Sequence, residues 1–329
     1  MLLASCAIVF GLLVLFWSAD QFVIAAVRIA WQARISPLLI GMLIIGFGTS
    51  LPELLVSALA AGQANAGLAL GNAFGSNITN IALILGLTAL IHPIRVQSGI
   101  LRRELPVLTV VTLLAAALVF DGEISRLDGA VLLAGFGIFL GWSIWQASRN
   151  PDDSLGQELT SDRAGINPDQ SRLRLWLRAA GALTLLVGSS RILVWGAIEI
   201  AHYFQIDDLF IGLTIVALGT SLPELASSLA AARRHEHDLA LGNVIGSNIF
   251  NTLAVVGLAG LIRPLECGAA VFWRDTIVMT GLTLSLFLFG YRFGRSSTGR
   301  INRLEGSLLL IAWLAYTAWL VRSALLTDR

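Results

Sequence analysis

Apolar residues run along this chain in stretches of about 18 residues or more, broken by short polar segments, which is the pattern of helices that cross a lipid bilayer. Windows of about 20 residues predict ten helices, at 3–29, 37–61, 67–91, 103–120, 127–147, 174–201, 208–232, 239–262, 270–290 and 304–323. The expected fold class is an all-α polytopic membrane protein. No basic segment precedes Leu2, and the first run has a counterpart deep in the chain, so it reads as a membrane helix and not as a cleaved signal peptide.

The chain also repeats itself. Residues 38–93 align without a gap on 209–264 at a constant offset of 171, with about half of the positions identical. Gly48-Thr49-Ser50-Leu51-Pro52-Glu53-Leu54 returns as Gly219-Thr220-Ser221-Leu222-Pro223-Glu224-Leu225. Gly71-Asn72, Gly75-Ser76-Asn77-Ile78 and Asn80 return as Gly242-Asn243, Gly246-Ser247-Asn248-Ile249 and Asn251. Five predicted helices precede the polar segment 148–173 and five follow it, so the two copies enter the membrane from opposite sides. The layout is ten transmembrane helices in two inverted five-helix repeats, an N-terminal half over 1–147, a linker over 148–173 and a C-terminal half over 174–329. The linker mixes Pro151, Asp152, Asp153 and Gly156 with Asn167, Pro168 and Asp169, and reads as a solvated connection too short for a domain of its own.

Charge orients the array. The chain has no Lys, and most of its Arg residues fall on one side of the alternating loops, including the linker. By the positive-inside rule that side is cytoplasmic and both termini lie outside, in a bacterial inner membrane. With 56% apolar residues, 13% charged residues and a net charge of +1, the chain is not an ordinary soluble domain and offers no nucleic-acid surface. Cys6 and Cys267 have no Cys or His at ligand spacing, His92, His202, His235 and His237 fall in predicted loops, and no cofactor or protein partner is implied.

The repeated motifs carry the chemistry. A carboxylate inside a span costs roughly 2.5 to 3.5 kcal/mol on insertion scales, so Glu53 and Glu224 require compensation that no basic residue in either helix supplies. Pro52 and Pro223 each remove a backbone donor, which frees carbonyls near Gly46 to Gly48 and Ala217 to Gly219. Ser76 and Asn80, like Ser247 and Asn251, are one helical turn apart and share a face. Gly71, Gly75, Gly242 and Gly246 permit close helix approach. Asn72 and Asn243 read as capping or supporting groups. Two carboxylates with hydroxyl, amide and carbonyl oxygens, and no His or Cys, suit Na⁺ or Ca²⁺. Asp20 maps onto Arg191 by the offset; the two read as interfacial charges at helix ends, the alternative being that they bias the sliding of the first and sixth helices between outward and inward states.

On these motifs the chain resembles the sodium/calcium exchanger family of cation/Ca²⁺ antiporters in its prokaryotic form. The resemblance implies Na⁺ for Ca²⁺ exchange by alternating access, with Glu53 and Glu224 as central ligands. It further implies that Thr49, Ser50, Thr220, Ser221, Ser76, Asn80, Ser247, Asn251 and the carbonyls of Gly46 and Ala217 complete up to four cation sites. Asn251 stands where some relatives have Asp, which argues against K⁺ co-transport. A proton-coupled Ca²⁺ or other divalent antiporter on the same scaffold is the alternative. A hydrolase using Ser50 or Ser221 lacks a base, since no His or Lys lies in a span, and a channel differs in its passive flux.

Overall fold

The computed structural model describes residues 2–33, 36–97, 100, 102–149, 171–204, 217–267, 271–290 and 298–327. Helix α1 (Leu2–Ala33) is followed by α2, which runs from Pro37–Ile40 through a π-helical turn, Gly41–Gly46, to Phe47–Thr49. Then come α3 (Leu51–Gly62) and α4 (Ala66–Ile91, with a π-turn at Asn80–Leu85). Strand β1 (Ile94–Gln97), α5 (Glu104–Val119), strand β2 (Glu123–Ile124) and α6 (Arg126–Arg149) complete the first half. The second half has α7 (Arg172–Tyr203), α8 (Ala217–Thr220), α9 (Leu222–Arg233), α10 (His237–Ile262, with a π-turn at Asn251–Val255) and strand β3 (Leu265–Glu266). It ends with α11 (Val271–Gly290), strand β4 (Thr298–Ile301) and α12 (Arg303–Thr327).

Seven of the described helices are long and apolar enough to cross a bilayer, and they correspond to seven of the expected spans. The expected helix at 37–61 is instead a pair, α2 and α3, bent by 45°. The break falls at Ser50, where Pro52 in the first turn of α3 has no N–H to continue the ladder. Helix α5 is apolar but only 16 residues long. The expected helix at 208–232 enters the described residues only at Ala217, and nearly all of the linker lies outside them.

Close approaches give the helix directions. On α1 and α7, a Cβ on Gly11 would stand 2.9 Å from Leu193 Cβ and one on Gly196 would stand 2.8 Å from Ala4 O, so these helices run antiparallel. Gly86 of α4 meets Gly306 and Leu309 of α12, and Gly257 of α10 meets Leu132 and Leu133 of α6, both antiparallel. By contrast α2 and α10 run parallel, Gly41 against Leu239 and Gly46 against Ser247. Gly242 and Gly246 admit this contact, as expected. Nothing lies within 4 Å of a Cβ on Gly71 or Gly75 among the described residues, and their counterpart contact would fall to 209–216, outside those residues.

The halves are also stitched together at both ends. Strand β1 pairs antiparallel with β4, Arg95 opposite Arg300, and β2 pairs antiparallel with β3, Glu123 opposite Glu266. Each small sheet therefore joins a connection of one half to a connection of the other. Two apolar clusters fill the interior: one spans α4, α5, α10 and α11, and the other packs Leu15, Ala19 and Phe22 of α1 against Leu175, Ala179 and Leu186 of α7 and Ala226 and Ala230 of α9.

Candidate cation-binding site

The two Glu residues enter the interior on the first turn of α3 and of α9, each just past a helix break, at Ser50 and at Ser221. Glu53 is fully buried and Glu224 is 1% exposed. The two carboxylates lie within electrostatic reach of each other, and Thr220 and Ser221 face Glu53 while Thr49 and Ser50 face Glu224. Thus each carboxylate meets the hydroxyls of the opposite repeat. Ser50 Oγ donates to Glu224 Oε1 at 2.8 Å. Its counterpart Ser221 Oγ, both oxygens of Glu53 and Glu224 Oε2 are buried without a hydrogen-bond partner among the described residues.

Helices α4 and α10 cross beside these groups and supply amides. Asn80 Nδ2 donates to Asn248 Oδ1 at 3.0 Å, Asn77 Nδ2 to Thr252 Oγ1 at 2.8 Å, and Asn248 Nδ2 to Asn77 O at 3.3 Å. Asn77 Oδ1, Asn80 Oδ1 and Asn251 Oδ1 remain buried and unpartnered among the described residues, as does Asn251 Nδ2. Ser76 and Ser247 are buried one turn before Asn80 and Asn251. Both Asn80 and Asn251 open a π-turn, a loosened ladder that recurs at functional sites.

A buried acceptor without a donor costs about 1–3 kcal/mol, more when charged. Several such oxygens gathered around two carboxylates fit a cation and little else. Among the described residues no group of three His, Cys, Asp or Glu side chains occurs, so the acids number two and the remaining oxygens are neutral.

Two expectations need correction. The Gly46 carbonyl is not bare: it accepts from Ser50 N at 3.2 Å, Thr49 Oγ1 at 3.3 Å and Ser247 Oγ at 3.1 Å, because the π-turn and the parallel crossing of α2 and α10 bring donors to it. In the second half Ser221 N donates to Leu218 O at 3.1 Å, and Ala217 is the first described residue of α8. His237 is not in a solvated loop but opens α10, 7% exposed, and His202 lies in the last turn of α7.

Sequence reasoning gave Asn72 and Asn243 their supporting role correctly. Asn72 Nδ2 donates to Glu53 O at 3.0 Å and Ser57 Oγ at 2.8 Å, and Asn243 Nδ2 to Glu224 O at 3.0 Å and Ser228 Oγ at 2.7 Å. It missed Asn77, Asn248, Thr252, Ser57 and Ser228. All but Thr252 are identical between the repeats, which was the available signal.

A helical membrane protein with a buried, two-carboxylate oxygen site belongs among ion transporters and not enzymes. The sequence model of the family described as sodium/calcium exchanger protein matches residues 3–145 and 174–322, and the chain belongs to that family. It is 47% identical to the putative antiporter CaxA of Alkalimonas amylolytica, over 96% of this chain and 98% of that protein. It is 42% identical to the inner membrane protein YrbG of Escherichia coli K12, over 97% and 98%. Among solved structures it is similar to the sodium-calcium exchanger NCX_Mj soaked with Na⁺ and Ca²⁺, with a TM-score of 0.82 at 33% identity, covering 97% of this chain and 98% of that one.

Proposed function

We propose that the protein is a secondary antiporter that exchanges Na⁺ for Ca²⁺ by alternating access, binding both ions near the midplane between Glu53 and Glu224. The observation that carries this reading is the pair of buried carboxylates, presented by the first turns of two sequence-equivalent helices, with the unpartnered oxygens of Asn77, Asn80 and Asn251 beside them. Around them stand Thr49, Ser50, Thr220, Ser221, Ser76, Asn80, Ser247 and Asn251, with the carbonyl of Ala217. The site has a formal charge of minus two. One Ca²⁺ balances it, or two Na⁺ with a third on neutral oxygens, so ions sharing these ligands compete. An empty site leaves two charges in a low dielectric, which disfavours passage between states unless a full load is bound.

The halves are 1–147 and 174–329, joined by a cytoplasmic linker over 148–173, with both termini outside. The antiparallel α1–α7, α4–α12 and α6–α10 contacts and the parallel α2–α10 contact all agree with ten alternating spans in two inverted repeats. Exchange of three Na⁺ for one Ca²⁺ moves one charge per cycle, worth about 2.3 kcal/mol per 100 mV.

The test is radioactive Ca²⁺ uptake into proteoliposomes loaded with Na⁺ and diluted into Na⁺-free buffer. Uptake is expected to require internal Na⁺, to accelerate with an inside-positive potential, and to fall to background in Glu53→Gln and Glu224→Gln. Uptake driven by a pH gradient without Na⁺ would make the proton the counter-ion and overturn the proposal, as would passive Ca²⁺ flux insensitive to either gradient.

A further inference from the structure

The sheet formed by β1 and β4 places two guanidiniums side by side. Ile94, Val96 and Ile301 of these strands are buried, so the alternate residues Arg95 and Arg300, directly opposed in register, point outward together. Like charges directly opposite destabilise a strand pair unless a counter-charge joins them. Neither arginine has a carboxylate within salt-bridge distance among the described residues, and His92, His235 and His237 lie in the same neighbourhood. In sequence, the two connections that this sheet joins, 92–103 and 291–303, carry seven Arg and neither Asp nor Glu.

Beside the pair is an open cavity of about 550 Å³, lined by Pro93, Arg300, Asn302, Arg303 and Leu304, with no carboxylate in its wall among the described residues. The nearest acid in sequence, Glu305, is already engaged: its Oε2 accepts from Asn302 N at 2.7 Å, while Asn302 Oδ1 caps the amides of Leu304 and Glu305 at 2.9 and 3.1 Å. Below the cavity, α12 turns an apolar stripe away from the protein. Leu304, Leu308 and Ile311, at helical spacing, are 70%, 49% and 60% exposed. An anionic head with apolar tails would find both of its halves matched within two helical turns.

We propose that this cavity is a binding site for an anionic phospholipid of the phosphatidylglycerol type, its phosphodiester held by Arg300 and Arg303 with Arg95 alongside, and its acyl chains lying along Leu304, Leu308 and Ile311. The pocket joins the β1 connection of one half to the α12 entry of the other, so a bound lipid bridges the two halves at one end of the bundle. The inference requires that α12 spans the membrane, and is independent of which ions are carried.

The experiment uses the full-length protein, stripped of lipid in detergent and re-equilibrated with phosphatidylglycerol or phosphatidylcholine, with retained lipid counted by native mass spectrometry. Wild type is expected to retain phosphatidylglycerol over phosphatidylcholine, and Arg95→Gln/Arg300→Gln/Arg303→Gln to lose that preference, roughly fivefold for each guanidinium removed. Arg300→Lys/Arg303→Lys, which keeps the charge, should retain most of it and so reports on folding. Arg102→Gln/Arg103→Gln removes charge from the same connection outside the cavity wall and should change little. Equal loss in that control would reduce the site to general surface potential and overturn the proposal, as would equal retention by the triple variant. Displacement of the lipid by millimolar inorganic phosphate would identify a free-anion site instead and also overturn it. Because lipid retention is read without transport, failure here and failure of the exchange assay are separate results.

Discussion

At the scale of single residues the two carboxylates are not equivalent. Glu224 shares one oxygen with Ser50, while Glu53 has neither oxygen paired among the described residues, although the local sequences are the same. The supporting amides differ as well. Asn243 is 1% exposed and also lies 3.4 Å from Thr49 Oγ1, whereas Asn72 is only part-buried. Removing either amide unties a Glu carbonyl from the next helix, at about 1–3 kcal/mol for a buried unsatisfied group. Asn243→Ala is therefore expected to weaken apparent Ca²⁺ affinity more than Asn72→Ala, measured by the Ca²⁺ dependence of uptake; equal effects would deny the asymmetry. A second residue-scale prediction concerns the turns after α3 and α9. Ala64 and His235 occupy left-handed backbone at φ 60° and 61°, and the amides of Asn65 and Glu236 reach back to Ala60 O and Ala231 O at 2.9 and 3.0 Å. This is a helix C-terminal motif that favours glycine. Ala64→Gly should stabilise the protein by about 1 kcal/mol, seen as a higher unfolding temperature in detergent with uptake unchanged.

At the scale of elements the two halves depart from their symmetry in one place. Leu51, Leu55 and Leu59 of α3 are 49%, 51% and 57% exposed, yet the equivalent Leu222, Ala226 and Ala230 of α9 are covered, the latter two at 1% and 9%, because α1 lies along them and joins their apolar cluster. Under the proposed exchange, this asymmetry corresponds to one of the two states of alternating access, closed along α9 and open along α3. A bidentate ion pair ties α1 to the end of α9: Arg234 Nε and Nη2 meet Asp20 Oδ1 and Oδ2 at 2.7 and 2.6 Å, and Asp20 lies within α1 (Leu2–Ala33), not at the helix end expected of it. The offset maps Asp20 onto Arg191 and Arg234 onto Gln63, so the inverted arrangement has no such pair. Asp20→Asn is expected to shift the equilibrium by about 1.4- to fivefold, in line with 0.2–1 kcal/mol for a partly exposed pair. Hydrogen exchange along α9 would rise and along α3 would fall, and Asp20→Arg with Arg234→Asp would restore the pattern; no change in exchange would remove the latch. The sequence announced the helices, the repeat, both Glu and the hydroxyls beside them, because spans and intramembrane acids are properties of a local stretch. It did not announce the partner of Asp20, which comes from the other half, nor the π-turns at Asn80 and Asn251, which arise when α4 and α10 cross. The occupied Gly46 carbonyl was hidden for the same reason, since its donor Ser247 is 201 residues away.

At the scale of the whole molecule the two sheets turn topology into a measurable quantity. Antiparallel pairing of β1 with β4 requires the connection after α4 and the connection before α12 to share one face of the membrane, and β2 with β3 requires the same of the connections after α5 and after α10. Ten alternating spans satisfy both pairings and put the two sheets on opposite faces. Their charges then differ in the direction the positive-inside rule demands, Arg95 against Arg300 at one end and Glu123 against Glu266 at the other. A membrane-impermeant maleimide should therefore label Arg95→Cys only from the cytoplasmic side and Glu123→Cys only from outside. The background requires Cys6→Ser alone. Cys267 is buried, and burial pushes its thiol up to about 11, so it stays protonated and unreactive at neutral pH while an exposed engineered thiol reacts. Labelling of both positions from one side would break the inverted arrangement on which the pairing of Glu53 with Glu224 across the halves depends; labelling of each from the reversed side would keep that arrangement and overturn the orientation alone.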